Sequence, residues 1–323
     1  MEATGRPVGK RTHRRVATRI AIVLTLIALS MAGCSDRNGS GAVDDSSGAN
    51  ATVVAVVNYP LQYMAERIGG DVIEILFPVP NDADPAHWMP DRQTIRNYQR
   101  ADLILLNGAS YAKWLDKVSL PESKLIDTSK AFKAHLLKVE EIVTHSHGKG
   151  GEHSHTGTAS HTWLNPRLAV LQAEAVRDAL SAHLPENRGA FEANFDALKN
   201  DLLEIDAEID VVLKANRDRP IVFSHPIYQY FQQRFAVNSR NLHWEPGEFP
   251  EEKQWQAFDK IRQGHPFDLV IWEGPPIGRT VEELNRRDVM WTVVDPCANR
   301  PAAGDFLEVM RENVSRLKSA FSE

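Results

Sequence analysis

Cysteine is nearly absent from this chain of 323 residues, which has only Cys34 and Cys297. Two thiols make neither a disulfide scaffold nor a four-cysteine zinc site, so stability has to come from an apolar core. Positive charge is also scarce. Lys and Arg number 37 against 43 Asp and Glu, a formal net charge of −6, which excludes the basic footprint that a nucleic-acid partner requires. Long apolar runs are missing too. The run at residues 20–29 is broken by Thr25 and falls well short of the roughly 20 residues that span a bilayer. What is present is ordinary globular material, 42% hydrophobic and 25% charged, which argues against wholesale disorder. There are also 12 histidines, and His145, His147, His153, His155 and His161 fall within one short stretch.

The first fifty residues read as an address. Arg6, Lys10, Arg11, Arg14, Arg15 and Arg19 precede the apolar run, and Ala32-Gly33-Cys34 follows it. That is the order of a secretory signal over residues 1–33. A cysteine after Ala-Gly resembles the lipobox of bacterial lipoproteins, with Met31 where Leu is usual, and makes Cys34 the expected lipidation site. An ordinary signal peptide or signal anchor with an incidental cysteine is the alternative. Residues 34–50, rich in Gly, Ser, Asp and Asn, read as a flexible tether. The signal holds six of the basic residues and one acid, so the chain beyond it carries a net charge of −11.

From residue 51 the pattern is α/β. Apolar β-branched runs at 52–58, 72–77 and 101–107 alternate with helical segments at 59–70, 91–100 and 110–117, and a short strand is expected at 124–126. Alternation of this kind implies parallel βαβ units. Residues 144–160 read as a mobile surface loop, being Gly, Ser, Thr and His with nothing to form a core. Helices are expected at 166–183 and 185–216. In the second, Phe191, Phe195, Leu198, Leu202, Ile205, Ile209 and Val212 recur at alternating steps of four and three, one apolar stripe on a helix roughly 45 Å long. A new βα series follows, with strands at 221–224, 237–242, 269–273 and 291–295 and helices at 226–235, 251–263, 278–287 and 305–320. The expected architecture is therefore two βα lobes with parallel sheets, residues 51–184 and 217–323, joined by one long rigid helix over 185–216.

In open α/β sheets ligands sit beyond the carboxyl ends of the strands. His225, Glu273 and Asp295 each end or follow an expected strand, His87 lies in the loop after residues 72–77, and His161 precedes a helix start. Imidazole and carboxylate are donors that zinc accepts in a four-coordinate shell. Taken singly, each has another reading: a satisfied core histidine, a turn aspartate, or a Glu that anchors a helix N-terminus.

The strings around these residues carry a resemblance. Asp84-Pro85-Ala86-His87-Trp88, Ala101-Asp102-Leu103 through Asn107-Gly108 and Trp114-Leu115, His161-Thr162-Trp163-Leu164-Asn165-Pro166, Ser224-His225-Pro226, and Val294-Asp295-Pro296 follow in order over residues 52–320. They resemble the cluster A-I solute-binding proteins of bacterial ABC importers for zinc and manganese, in their zinc-type branch. Two features depart from that pattern. Ala86 lengthens the first loop by one residue, and Ala112-Lys113 stands where a Glu usually precedes Trp114. The resemblance implies a metal between the lobes, held by His87, His161, His225 and Asp295, with Glu273 or water as the other candidates for the fourth position.

It further implies a non-enzymatic monomer, extracytoplasmic in the periplasm or on the cell surface. The chain would be tied to the membrane through its lipid and partnered by an importer permease and its ATPase. His225 favours Zn2+ over Mn2+, because imidazole suits zinc and hard oxygen donors suit manganese. His145, His147, His153 and His155 form two His-x-His pairs, an auxiliary metal loop. The remaining alternatives are a manganese- or iron-binding homologue, a metal buffer or adhesin without a transporter, and a zinc hydrolase with Glu273 or Glu245 as general base. Cys297 reads as a small buried apolar side chain or a backup thiolate.

Overall fold

The computed structural model describes residues 51–139, 144–147, 151–154 and 157–322. The export signal, Cys34, the tether and His155 lie outside the described residues.

A four-stranded parallel sheet opens the fold. It comprises β1 (Thr52–Val56), β2 (Ile73–Leu76), β3 (Leu103–Leu106) and β4 (Leu125–Asp127), in the order β2-β1-β3-β4. β1 and β3 are nearly continuous apolar runs because helices cover both faces of such a sheet. Asn58 caps helix α1 (Tyr59–Gly69) by accepting from the Leu61 amide at 3.2 Å, with Pro60 in the first turn. Asp91 caps α2 (Arg92–Arg100) through the Thr94 amide at 2.7 Å. The helix expected at 110–117 is reduced to a 3-10 turn, Lys113–Lys117. Gly108, Ala109 and Ser110 all hold positive φ (72°, 50° and 54°), a left-handed path that no α-helix can start from. At Gly108 a Cβ would fall 2.0 Å from Ser129 Oγ and 2.2 Å from Asp127 Oδ1, so only glycine fits where β3 meets that turn.

The segment expected to be a mobile loop contains paired strands. β5 (Lys138–Val139) pairs antiparallel with β8 (Gly157–Thr158), and between them β6 (Thr144–His147) pairs with β7 (Gly151–Ser154), setting His145 opposite His153. The polar composition concealed the pairing. Thr-His-Ser-His repeats every two residues, which is the strand period, with no apolar face to announce it.

Helices α3 (Pro166–His183) and α4 (Arg188–Ala215) follow. The 28 residues of α4 span about 42 Å, and every residue of its expected apolar stripe is buried. Beyond it lies a second parallel sheet of β9 (Ile221–Phe223), β10 (Ser239–Asn241), β11 (Leu269–Trp272) and β12 (Met290–Val293), ordered β10-β9-β11-β12. Its helices are α5 (Gln229–Phe235), α6 (Glu252–Gly264), α7 (Gly278–Arg286) and the terminal α8 (Phe306–Ser322). The two sheets therefore share one strand order although their sequences show no repeat. In each, the order reverses between the first and third strands of the lobe, which creates a crevice at that switch point.

Helix α4 packs on α1 and α3 from the first lobe and on α5 and α8 from the second. One apolar cluster accordingly runs from β1 through α4 to Leu317, while Trp244, Trp255, Phe258 and Trp272 centre a smaller one beneath α6. A buried carboxylate adds a polar tie. Asp206 on α4 accepts from Arg234 of α5 (Nε to Oδ1 at 2.7 Å) and from Arg167 of α3 (Nε to Oδ2 at 3.0 Å). Among the described residues no helix is long and apolar enough to cross a membrane.

Candidate metal site

The switch point of the second sheet lies between β9 and β11. His225 leaves the first of these strands and Glu273 the second. The backbone hydrogen bond from Ser224 N to Ile271 O (2.8 Å) fixes the two exits side by side. A third residue joins from the adjoining β10 strand exit, where Leu242 and Trp244 still donate to Phe223 and Ser224 carbonyls at 2.8 Å and so carry Glu245 to the same point. His225 Nδ1 lies 3.1 Å from Glu245 Oε1 and 3.2 Å from Glu273 Oε1. Potential ligand atoms of these three residues all lie within 4.8 Å of one another.

The first sheet treats its switch point differently. The side chains leaving β1 and β3 are Asn58 and Asn107, both buried, and Asn58 Nδ2 donates to Asn107 Oδ1 at 3.1 Å. Gln172 Nε2 donates to Asn107 Oδ1 (3.2 Å) and Thr128 Oγ1 (3.0 Å), and Thr162 Oγ1 donates to Gln172 Oε1 (3.0 Å). This network is built from neutral side chains and anchors the 3-10 turn Thr162–Leu164 through Thr162. His161 immediately precedes that turn. Its imidazole lies edge-on to Tyr111 (centroids 5.6 Å apart, 76°) and against Trp163 (4.9 Å, 44°), two rings that fix its orientation. The Trp163 indole in turn donates to Pro296 O at 2.7 Å, which ties this turn to the second lobe.

A cavity of about 720 Å3 opens where the His225–Glu245–Glu273 trio and His161 face each other. Its lining includes His87, His161, His225, Glu245, Glu273 and Asp295. His87 Nε2 is 3.9 Å from Asp84 Oδ2 within its own loop. Asp295 reaches the cavity rim by another route. Its Oδ1 accepts the Cys297 amide at 2.7 Å, and Asn313 grips its backbone from α8. Thus the structure sets His225 against Glu273, the residue expected only as a backup, and leaves Asp295 lining the same space but outside that trio. Glu245, expected from sequence only as the general base of a hydrolase, belongs to the trio. The strand-exit rule that selected His225 and Glu273 would have selected it too, had it been applied three residues beyond the expected strand at 237–242.

The electrostatics divide the donors. Burial drives the His161 pKa down to about 3, so this imidazole is neutral with its lone pair available. Burial opposes charge on His225 as well, but the hydrogen bond and charge of Glu273, together with the charge of Glu245, outweigh it and raise its pKa. Burial raises Glu245 to about 7, against the pull of His225 and with the repulsion of Glu273. Glu273 goes the other way: burial would raise it, but His225 holds it below the usual carboxylate range. The trio therefore sets an ionised Glu273 beside a histidine and a second carboxyl that both hold their protons to higher pH than usual. Burial also raises Asp295, and it keeps the free Cys297 thiol protonated, which removes it as a thiolate donor at neutral pH.

Comparison with known proteins gives consistent matches. The sequence profile of a family described as zinc-uptake complex component A, periplasmic, matches residues 54–320. The zinc-binding lipoprotein AdcA of Streptococcus pneumoniae is 25% identical over 225 residues, 68% of this chain but 43% of AdcA, so the chain spans under half the length of that relative. The manganese ABC transporter substrate-binding lipoprotein PsaA of Streptococcus pneumoniae is also 25% identical, over 77% of this chain and 79% of PsaA. In fold the chain is similar to the metal-dependent lipoprotein YcdH of Bacillus subtilis, with a TM-score of 0.70 at 16% identity, covering 83% of this chain and 98% of that one.

Proposed function

Because the chain belongs to the zinc-uptake complex component A family, we propose that it captures zinc outside the cytoplasmic membrane and hands it to an ABC importer. The family consists of metal-binding transport proteins, not enzymes. The observation that carries the reading is the convergence of three histidines and the Glu245–Glu273 pair on one interlobe cavity. His87, His161 and His225 are the proposed imidazole ligands. Glu273 is favoured as the carboxylate over Asp295, because it meets His225 directly while an oxygen of Asp295 is already taken by the Cys297 amide. Lipidated Cys34 would hold the protein at the membrane, and residues 34–50 would let it reach a permease and its ATPase. His145, His147, His153 and His155 would bind zinc weakly beside the main site.

One observation supports a second cargo. Glu245 and Glu273 together supply hard oxygen donors, which suit manganese better than an all-imidazole shell would. Elemental analysis of the protein, purified from its native compartment without chelators, decides between them. The expected result is one zinc per chain. One manganese per chain would replace zinc as the cargo, and absence of any transition metal would overturn the reading.

Proton release should accompany capture. His161 is already neutral, so the pH dependence falls on His225 and Glu245, both held protonated to higher pH than usual. His225 must lose its proton to donate, and Glu245 must lose its own to add a negative charge beside the ion. Zinc affinity is therefore expected to drop between about pH 7.5 and 5.5, approaching tenfold per pH unit for each proton displaced. Competition against a zinc indicator dye measures this, and a flat profile would remove His225 from the shell and Glu245 from any part in capture.

A further inference from the structure

His87 sits in residues 77–91, which join β2 to α2 without helix or strand. A connection of that length with no regular structure is uncommon in a compact domain, and its backbone carbonyls need partners. Asp84 folds the end nearest His87 into one turn. Its carbonyl accepts from His87 N (3.1 Å) and Trp88 N (2.8 Å), and its Oδ1 accepts from Ala86 N (2.9 Å). From the same lobe, Lys113 N donates to Ala86 O at 3.1 Å. The stretch before that turn is held from the other lobe.

Beyond β12 the chain leaves the second sheet at Asp295, whose Oδ1 accepts the Cys297 amide, and Cys297 takes a left-handed φ of 52°. Ala298 O then accepts from Tyr59 N, at the start of α1, at 3.0 Å. Asn299 commits its whole amide group. Its Nδ2 donates to Pro80 O (2.7 Å) and Ala83 O (2.8 Å), and its Oδ1 accepts from Arg300 N (2.8 Å). The Arg300 guanidinium donates to Phe77 O (2.7 Å) and Val79 O (3.4 Å) and lies 4.5 Å from the centre of the Phe77 ring. Two side chains of the second lobe thus grip the carbonyls of Phe77, Val79, Pro80 and Ala83 in the loop that carries His87. Both line the cavity, yet neither is suited to bind a cation. Asn299 turns its oxygen to its own chain, and a guanidinium has no acceptor.

We infer that Asn299 and Arg300 are positioning residues for His87: the second lobe holds the first lobe's loop where its imidazole lines the same cavity as His161 and His225. The Asp84 turn makes Ala86, His87 and Trp88 one piece, so a shift of the carbonyls at Pro80 and Ala83 passes on to His87. A ligand set drawn from two lobes needs such a tie, because a metal shell tolerates little displacement of any one donor. This inference rests on the reading of His87 as a metal ligand and names what sets that ligand in place.

The test is a double-mutant cycle on the full chain, with zinc affinity read by competition against an indicator dye. Asn299→Ala and Arg300→Met should each weaken zinc binding about tenfold, the usual loss for a partner one shell out from a metal. When His87 is already alanine, each should cost less than about twofold more, because the residue it acts through is gone. In a His161→Ala background the tenfold loss should persist. Should Asn299→Ala not fold, Arg300→Met runs the same cycle. A loss that survives in full beside His87→Ala would overturn the proposal, since the two side chains would then be steadying the cleft in general. Unchanged affinity in both single variants would overturn it as well. If His87→Ala itself leaves zinc affinity intact, the ligand reading of His87 fails, and this inference with it.

Discussion

Replacing His225 by alanine is expected to weaken zinc binding by roughly a hundred- to a thousandfold. Loss of a partner one shell out from a metal typically costs about 10–100-fold, and a direct ligand should exceed that. His225 lies against both carboxylates, at 3.1 and 3.2 Å. Its removal takes away a donor and also leaves the hydrogen-bonded Glu245 and Glu273 without the imidazole that offsets their charge. Like-charged neighbours resist joint ionisation, so Glu245 should hold its proton still more firmly and bring less negative charge to the site. Isothermal calorimetry measures the loss, with His265→Ala as the contrast. His265 is equally buried, but its Nε2 donates to Ile221 O at 3.0 Å, at the start of β9 and away from the cavity. That variant should lose stability and keep its zinc affinity within about threefold, since a buried hydrogen bond is worth roughly 1 kcal/mol. In the same series Glu273→Gln should cost more affinity than Asp295→Asn. The reverse order would return Asp295 to the fourth position.

The strand exits were readable in the sequence because parallel strands buried on both faces are short apolar runs, and the residue after each run is where the chain turns into the cleft. That reasoning reached His225, Glu273 and Asp295 directly, and the stripe from Phe191 to Val212 announced α4. What escaped was set by backbone conformation or by distance along the chain. No periodicity marks the positive φ values at Ala109 and Ser110 that prevent a helix at 110–117. The segment His225 to Tyr228 stays irregular before α5 because Ile227 N donates back to His225 O at 3.0 Å, which delays the helix to Gln229. Sequence also offered no ground to rank Asp295 against Glu273. Both end strands, and the contact of one Asp295 oxygen with the Cys297 amide is a matter of tertiary structure. The protonation pattern was hidden for the same reason. Histidines look alike as letters, yet burial dominates at His161, while at His225 the two glutamates outweigh it.

Asp206→Ala is expected to destabilise the folded chain by about 3–5 kcal/mol, the cost of leaving one member of a buried ion pair without its partner. Asp206 is 3% exposed. Arg234 engages both of its oxygens, Nε with Oδ1 at 2.7 Å and Nη2 with Oδ2 at 2.5 Å. The guanidinium would keep Asp210 at 3.2 Å, so the loss should fall toward the lower end of that range. Arg167 adds little, because its side chain is 62% exposed and water screens the pair. For a folded region of this size the drop in Tm should be roughly 6–15 °C, readable by calorimetry. A Tm within about 1 °C of the parent would show that the pair holds nothing. If the penalty is the stranded charge, not a missing tie, then Asp206→Leu combined with Arg234→Met should recover most of the loss. The position gives the result its meaning. Asp206 lies on the helix shared by both lobes, with one arginine on α3, the helix that follows the His161 turn, and the other on α5, which follows His225. The pair therefore fixes the frame in which those two histidines meet, and the double variant separates its contribution to stability from its contribution to alignment. Stability regained with zinc affinity still reduced would mean that the charge itself sets the alignment of the lobes.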